Sequence, residues 1–163
     1  MNAIQILYGA CIVLTGLLAG LFYGYQCSVI QGLGRLSDKE YLSAFQSINK
    51  AILNPVFFLS FMGSLIVLIV TSLLSYKAGN TTITPFLIAS TIVYAVGVFG
   101  ITAACNVPLN DVLASYDIAT ATSSRLYDMR SHFEQSWNKW HLIRTVAAVL
   151  SFILLIIPLL KKI

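Results

Sequence analysis

Charge is what this sequence has least of. Ten of its 163 residues are Lys or Arg and six are Asp or Glu, together 10% of the chain, while 58% are hydrophobic. Soluble domains average about 25% charged residues, so a water-exposed globular fold is not expected. Disorder is excluded on the same ground, because a disordered chain needs much charge and little apolar surface. Histidine is nearly absent. His132 and His141 are nine residues apart, about 90° from each other around a helix, and do not make a metal site. Cys11, Cys27 and Cys105 lie in apolar stretches without a C-x-x-C and read as small buried residues. The sequence has no C-x-x-C-H haem attachment, no G-x-x-x-x-G-K-[ST] phosphate loop and no H-E-x-x-H, so neither metal nor cofactor is expected. The net charge of +4 is read as topology and lipid contact, not nucleic-acid binding.

What the chain does have is apolar length. Residues 1–34, 51–76, 78–110 and 145–160 carry no charge. A membrane span needs roughly 20 mostly apolar residues. Each of the first three runs holds one span, and none comfortably holds two with a loop. The fourth is shorter, but Trp140, His141 and Leu142 extend it at headgroup depth. These runs are too long for strands, and membrane barrels alternate instead. The expectation is therefore all-α: an up-down four-helix transmembrane bundle, a single integral membrane domain over 1–163, with spans near 4–28, 52–75, 84–106 and 141–160. The amino end lacks Lys and Arg and its apolar stretch exceeds a leader's core, so a retained first helix is expected. The expected location is the bacterial inner membrane.

Four spans put both termini on one side, with Lys77, Lys161 and Lys162. The loops near 30–50 and 110–140 hold the other seven basic residues and all six acids. The raw basic count favours loops inside. Basic density without acids favours the reverse, and termini in the cytoplasm are the expectation carried forward.

Gly16, Gly20 and Gly24, with Gly9 before them, form a G-x-x-x-G repeat on one face. Small residues let helices approach closely in lipid. The repeat is read as packing within the bundle, with Gly20 at a close crossing; a homo-oligomer seam is the alternative. Asn54-Pro55 opens the second span, proline suiting a first helical turn. Gln46, Asn49 and Lys50 precede it as an interfacial turn or helical extension. Pro108, within Asn106-Val107-Pro108-Leu109-Asn110, is expected to kink or end the third span. Asn106 and Asn110 share a face if the helix continues. Ser115, Asp117, Thr120, Thr122, Ser123 and Ser124 read as a loop or capped turn, and helix is expected from Ser124 into the fourth span. Glu134, Trp137, His141 and Arg144 fall on one stripe of that helix.

Up-down threading brings four polar span ends to one side. They carry Tyr23, Tyr25 and Gln26; Gln46, Asn49 and Asn54; Asn106 and Asn110; and Trp137, His141 and Arg144. Interhelical glue and an interface belt would give such a pattern, and so would a pocket opening to one face. An ionisable residue at the depth of Arg144 favours a site. Arg144 is expected to face inward and bond to Asn54, Asn106 or Asn110, with His141 on the same cavity and Trp137 as its lid.

Three segments carry a resemblance. Residues 47–55, from Ser47 to Pro55, are similar to the second-helix entry of the anthrone-oxygenase-like membrane proteins, a family long labelled a domain of unknown function. The run from Asn106 to Asn110 resembles its most specific motif. The run from Trp137 to Thr145 resembles its W-x-x-W-N-x-x-R-T block, with His141 where Asn is expected and extra residues before Trp137. The likeness extends from Gly16 to about Leu155. It implies oxidation of an anthrone to an anthraquinone without metal or flavin. In that reading His141, or an Asn-oriented water, removes a C–H proton. Arg144, Asn106 and Asn110 stabilise the enolate oxygen, and Asn49, Asn54 and Trp137 complete the substrate pocket. Imidazole exchanges protons near neutral pH, which makes His141 the best base. The alternative is a non-catalytic membrane module binding a lipid, quinone or partner helix, since a four-helix architecture does not choose between them. Transport is weaker, for want of an inverted repeat. The expected partners are membrane lipid and an apolar small molecule.

Overall fold

The computed structural model describes residues 2–160. In chain order its helices are α1, Ala3–Leu33; α2, Asp38–Ile52; α3, Pro55–Lys77; α4, Thr84–Ala114; and α5, Ser123–Leu160. All but α2 are long and apolar enough to cross a membrane, and no strand occurs among the described residues. The protein is an all-helical integral membrane protein with four spanning helices. The tail lysines Lys161 and Lys162, used above for topology, lie outside the described residues.

Side-chain bonds fix the threading. Tyr8 at the start of α1 donates to the Leu155 carbonyl near the end of α5, while the Phe22 carbonyl further along α1 meets His141. Cys11 on α1 meets Thr71 on α3. Ser75 meets Thr84, and Tyr94 reaches the Phe61 carbonyl, between α3 and α4. Ser90 meets Ser151 and Thr102 meets Arg144, between α4 and α5. Each pair runs in opposite directions, so the four spans close an up-down ring in which consecutive helices are neighbours. The α3–α4 turn is tight and uses Gly79 at a φ of 66°, a conformation open to glycine at no steric cost.

The helices run on past the predicted spans at one end. α1 runs to Leu33 and α4 to Ala114, and α5 begins at Ser123, well before position 141. Polarity ends a membrane span without ending a helix. At about 1.5 Å per residue α5 is about 57 Å long, nearly twice the hydrocarbon thickness of about 30 Å. The predicted helix from Ser124 is thus found. Pro108 does not end α4 either. It has no N–H for the preceding turn and its ring crowds that turn. There the backbone widens into a π turn at Thr102–Asn106, where the Val107 N–H bonds the Thr102 carbonyl. Similar turns occupy Tyr94–Gly100 in α4 and Tyr25–Val29 in α1.

The projecting ends form a head. α2 starts at a capping box between Ser37 and Glu40, which satisfies two otherwise unpaired N–H groups. It buries Tyr41, Leu42 and Phe45 and exposes Lys39, Ser43 and Lys50, so the segment before Asn54 is a full amphipathic helix, not a turn. Gln46 Nε2 donates to the Leu113 and Tyr116 carbonyls, at 2.7 and 3.0 Å, and ties α2 to the end of α4. The Arg130 guanidinium ties α5 to the α1–α2 turn through the Leu36 and Gly34 carbonyls and Asp38, and pairs with Glu134 on its own helix. One core cluster fills the bundle around Leu18, Leu68, Leu87 and Leu155. A second fills the head around Phe45, Leu113, Phe133 and Trp137.

The glycine repeat on α1 needs correcting. A Cβ placed on Gly9, Gly20 or Gly24 would meet nothing within 4 Å, whereas one on Gly16 would lie 2.9 Å from the Phe152 ring. Gly20 is exposed because the core face of α1 follows Tyr8, Cys11, Thr15, Leu18, Ala19 and Phe22. Spacing by four drifts around a helix of 3.6 residues per turn, and only one member of the repeat stays near the seam. Among the glycines the closest approach is at Gly97, where a Cβ would come 2.6 Å from that of Ala147.

Candidate functional site

The two cores do not quite meet, and a cavity of about 150 Å³ lies between them. Its walls are largely apolar, from Leu21, Phe22, Phe57, Phe58 and Phe61 to Ile48 and Ile52 in α2. Set into them are Tyr25, Asn49, Thr102, Asn110, Trp137, His141 and Arg144. All four spans and α2 contribute.

The stripe on α5 builds the polar wall. Trp137 and His141, one turn apart, stack with ring centroids 4.8 Å apart and planes 14° from parallel. Arg144 comes one turn deeper. Its Nε donates to His141 Nδ1 at 3.1 Å and its Nη1 to Thr102 Oγ1 at 3.3 Å. The guanidinium also sits 4.6 Å from the Phe22 ring centre and 5.0 Å from that of Trp137, an arrangement that favours a cation over the ring faces. Arg144 is 8% exposed, and among the described residues it belongs to no ion pair. Since the guanidinium is only a donor, His141 Nδ1 must be the acceptor. The imidazole proton is then on Nε2, which lies 3.2 Å from the Phe22 carbonyl. The imidazole is neutral in this tautomer, and both its nitrogens are engaged.

The expected partners of Arg144 were amides, and here the structure differs. Asn110 Oδ1 accepts from the Trp137 indole at 2.8 Å, which fixes the ring over the cavity. Asn106 Nδ2 donates to the Trp137 carbonyl at 3.3 Å, behind the cavity wall. Asn54 lies apart. Its Oδ1 caps α3 through the Val56 and Phe57 N–H groups and its Nδ2 bonds the Ala51 carbonyl, so both ends of that amide are occupied by the α2–α3 joint. Asn49 does line the cavity. Glu134, on the predicted stripe, is drawn off by Arg130. Arg144 selects Thr102 because Thr102, Asn106 and Asn110 follow one another at intervals of four along α4, and Thr102 alone is at its depth.

Two residues of the site stand outside the set expected from the sequence: Tyr25, expected only as part of a polar span end, and Thr102. The Tyr25 ring packs 5.2 Å from His141 and 5.5 Å from Trp137. The interval of four to Asn106 was the available signal for Thr102. Among the described residues, no three His, Cys, Asp or Glu side chains converge as a metal site.

The family model described as anthrone oxygenase matches residues 57–154. The matched stretch includes Thr102, Asn106, Asn110, Trp137, His141 and Arg144, and begins after Tyr25 and Asn49. Neither curated proteins nor solved structures give a match. The match spans more than half of the 163 residues, and with four apolar spanning helices around the matched residues, the chain belongs to the anthrone oxygenase family.

Proposed function

We propose that the cavity binds a flat phenolic or anthrone-type molecule and promotes its oxidation by dioxygen. The observation that carries this reading is Arg144. A buried guanidinium without a carboxylate is costly, and one beside an apolar cavity is placed to receive an anion that forms on an aromatic ligand. An enolate or phenolate oxygen is such an anion, and its charge would be stabilised most where water is excluded.

The chemistry follows from the ligand becoming that anion. His141 Nδ1 takes a proton from the acidic carbon opposite the carbonyl, once Arg144 turns from Nδ1 to the ligand oxygen. The electron-rich carbon bonds to dioxygen, and the resulting peroxide takes up a proton. Loss of the second C–H proton, with cleavage of the O–O bond, leaves a new carbonyl and releases water. One dioxygen is reduced, one oxygen atom staying on carbon and the other leaving as water, while CH₂ becomes C=O. Trp137, held by Asn110, stacks on the ligand. Asn106 is assigned to support of the pocket through the Trp137 carbonyl, and Asn54 to its hinge. No metal or cofactor enters this scheme.

A carrier that binds such molecules without turning them over is the second reading. It is favoured by the engagement of both His141 nitrogens. For location, helical spans suit an inner membrane rather than the barrel architecture of an outer one. Lys77, the last residue of α3 beside a short turn without acids, supports termini on the cytoplasmic side.

Oxygen uptake by the purified protein in detergent, with anthrone as substrate, tests the proposal. Anthraquinone should form in equal amount to the oxygen consumed. Arg144→Lys should reduce the rate by about a hundredfold or more with the melting temperature little changed. Anthrone binding without oxygen uptake above buffer would decide for the carrier.

A further inference from the structure

Two polar groups in the cavity wall have no partner. The Tyr25 hydroxyl on α1 and Asn49 Nδ2 on α2 are both buried, and neither makes a hydrogen bond. Both residues line the cavity. A buried polar group left unsatisfied costs about 1–3 kcal/mol, and such groups are few in folded proteins. Gln26, Asn106, Tyr116 and Asn138 also hold such atoms, but none of the four lines this cavity; Tyr25 and Asn49 do, from two helices that share no bond through them, and they point to something the cavity takes up. Neither group serves the fold as it stands. The neighbouring Asn110 and Trp137 show the contrast, since they satisfy each other at 2.8 Å.

Their chemistry describes the occupant. An amide nitrogen is a donor only, and a phenol hydroxyl donates readily. Together they would recognise an oxygen acceptor. Arg144 and Thr102 already offer donors from α5 and α4, deeper in the bundle. We infer that Tyr25 and Asn49 form a second oxygen-recognising point in the cavity, so that the preferred ligand is an aromatic molecule carrying oxygens at two separate positions. This rests on the proposed use of Arg144 for the first oxygen. It also gives the two points unequal roles. The charged one sits beside His141 and serves the reacting anion, and the neutral one discriminates among ligands, because a site built to bond an oxygen penalises an analogue lacking it.

Anthrone, with one oxygen, and anthraquinone, with two, are the probes. Binding to the full chain in detergent is read from tryptophan fluorescence, without dioxygen so that anthrone persists. Wild-type protein should bind anthraquinone the more tightly. Tyr25→Phe and Asn49→Leu should each weaken anthraquinone about tenfold and anthrone by about twofold at most. Without ligand, both variants should melt at or above the wild-type temperature, because each removes an unsatisfied buried group. A residue with a structural partner would instead melt lower. Equal weakening of the two probes, no weakening, or a lower melting temperature without selective loss would overturn the second point and leave the proposed function standing. A wild-type protein that binds neither probe would overturn both.

Discussion

The two ends of this bundle are joined by different kinds of side chain. In the half around Leu18, Leu68 and Leu155, helices meet through small hydroxyls: Ser72 with Thr91 at 2.9 Å, Ser75 with Thr84 at 2.7 Å, and Ser90 with Ser151 at 2.8 Å. In the head they meet through rings, one cation and the Gln46 amide. Phe45 packs edge-on against Phe133 and Trp137 at 4.7 and 4.8 Å, and Arg130 lies 4.5 Å from the Tyr41 ring centre. The surroundings explain the contrast. Lipid tails are as apolar as leucine, so burial gives little drive between helices there, and close approach with hydrogen bonds holds them. Where water reaches the head, hiding aromatic surface is favourable in itself. The cavity lies at the junction, where the small residues have ended and the large ones have not yet closed the gap.

The strongest way to break this comparison is to enlarge a small contact. Gly97→Leu drives a side chain into Ala147 and should destabilise the bundle by about 3 kcal/mol, read as thermal unfolding in detergent. Gly20→Leu, on the open face of α1, should leave the same transition unmoved. Equal effects of the two would show that close approach does not hold this half. The next largest effect belongs to the head. Arg130→Ala removes bonds to two carbonyls and two carboxylates and should cost about 2 kcal/mol, given partial exposure. Hydrogen exchange should quicken in α2 and the α1–α2 turn while the α4–α5 seam at Ser90 stays protected.

The smallest effect sharpens the difference through pH. The Glu40 carboxyl is held below its ordinary value of 4.5 by bonds from Ser37. That of Asp117 is held below 3.8 by bonds from Thr120 and Ala119. A depressed native value means stability that is present above the ordinary value and lost as pH falls through the native one. Acid below about pH 4.5 should therefore loosen the head before the bundle, in exchange of α2 and of the loop at 115–122. Ser37→Ala should remove the Glu40 part of that response. Simultaneous loosening of both halves would contradict it.

The spans were legible because absence of charge over such lengths has one physical meaning. The stripe of Trp137, His141 and Arg144 was legible for the same reason, since an arginine at that depth must turn inward. The partners were not. Asn54 resembles a ligand-binding amide until the backbone shows that it caps α3, and local capping competes for any asparagine before a proline. Gly20 looked like a contact because spacing alone does not reveal where a helix's core face lies. Arg130 was lost among the loop charges. Its role depends on where the α1–α2 turn comes to rest, which local pattern does not encode.

The widened turns of α4 have a geometric consequence. Tyr94, Val98, Thr102, Asn106 and Asn110 recur every fourth residue. On a regular helix the four intervals of four from first to last would drift in phase by about 160°, carrying Asn110 to the side opposite Tyr94. The π turns at Tyr94–Gly100 and Thr102–Asn106 take up that drift. Val98, Thr102 and Asn106 are buried in turn, and Asn110 still reaches Trp137. The helix thus trades uniform pitch for a straight column of side chains along α5. Thr102 and Asn110 keep their places on the cavity only while that irregularity persists.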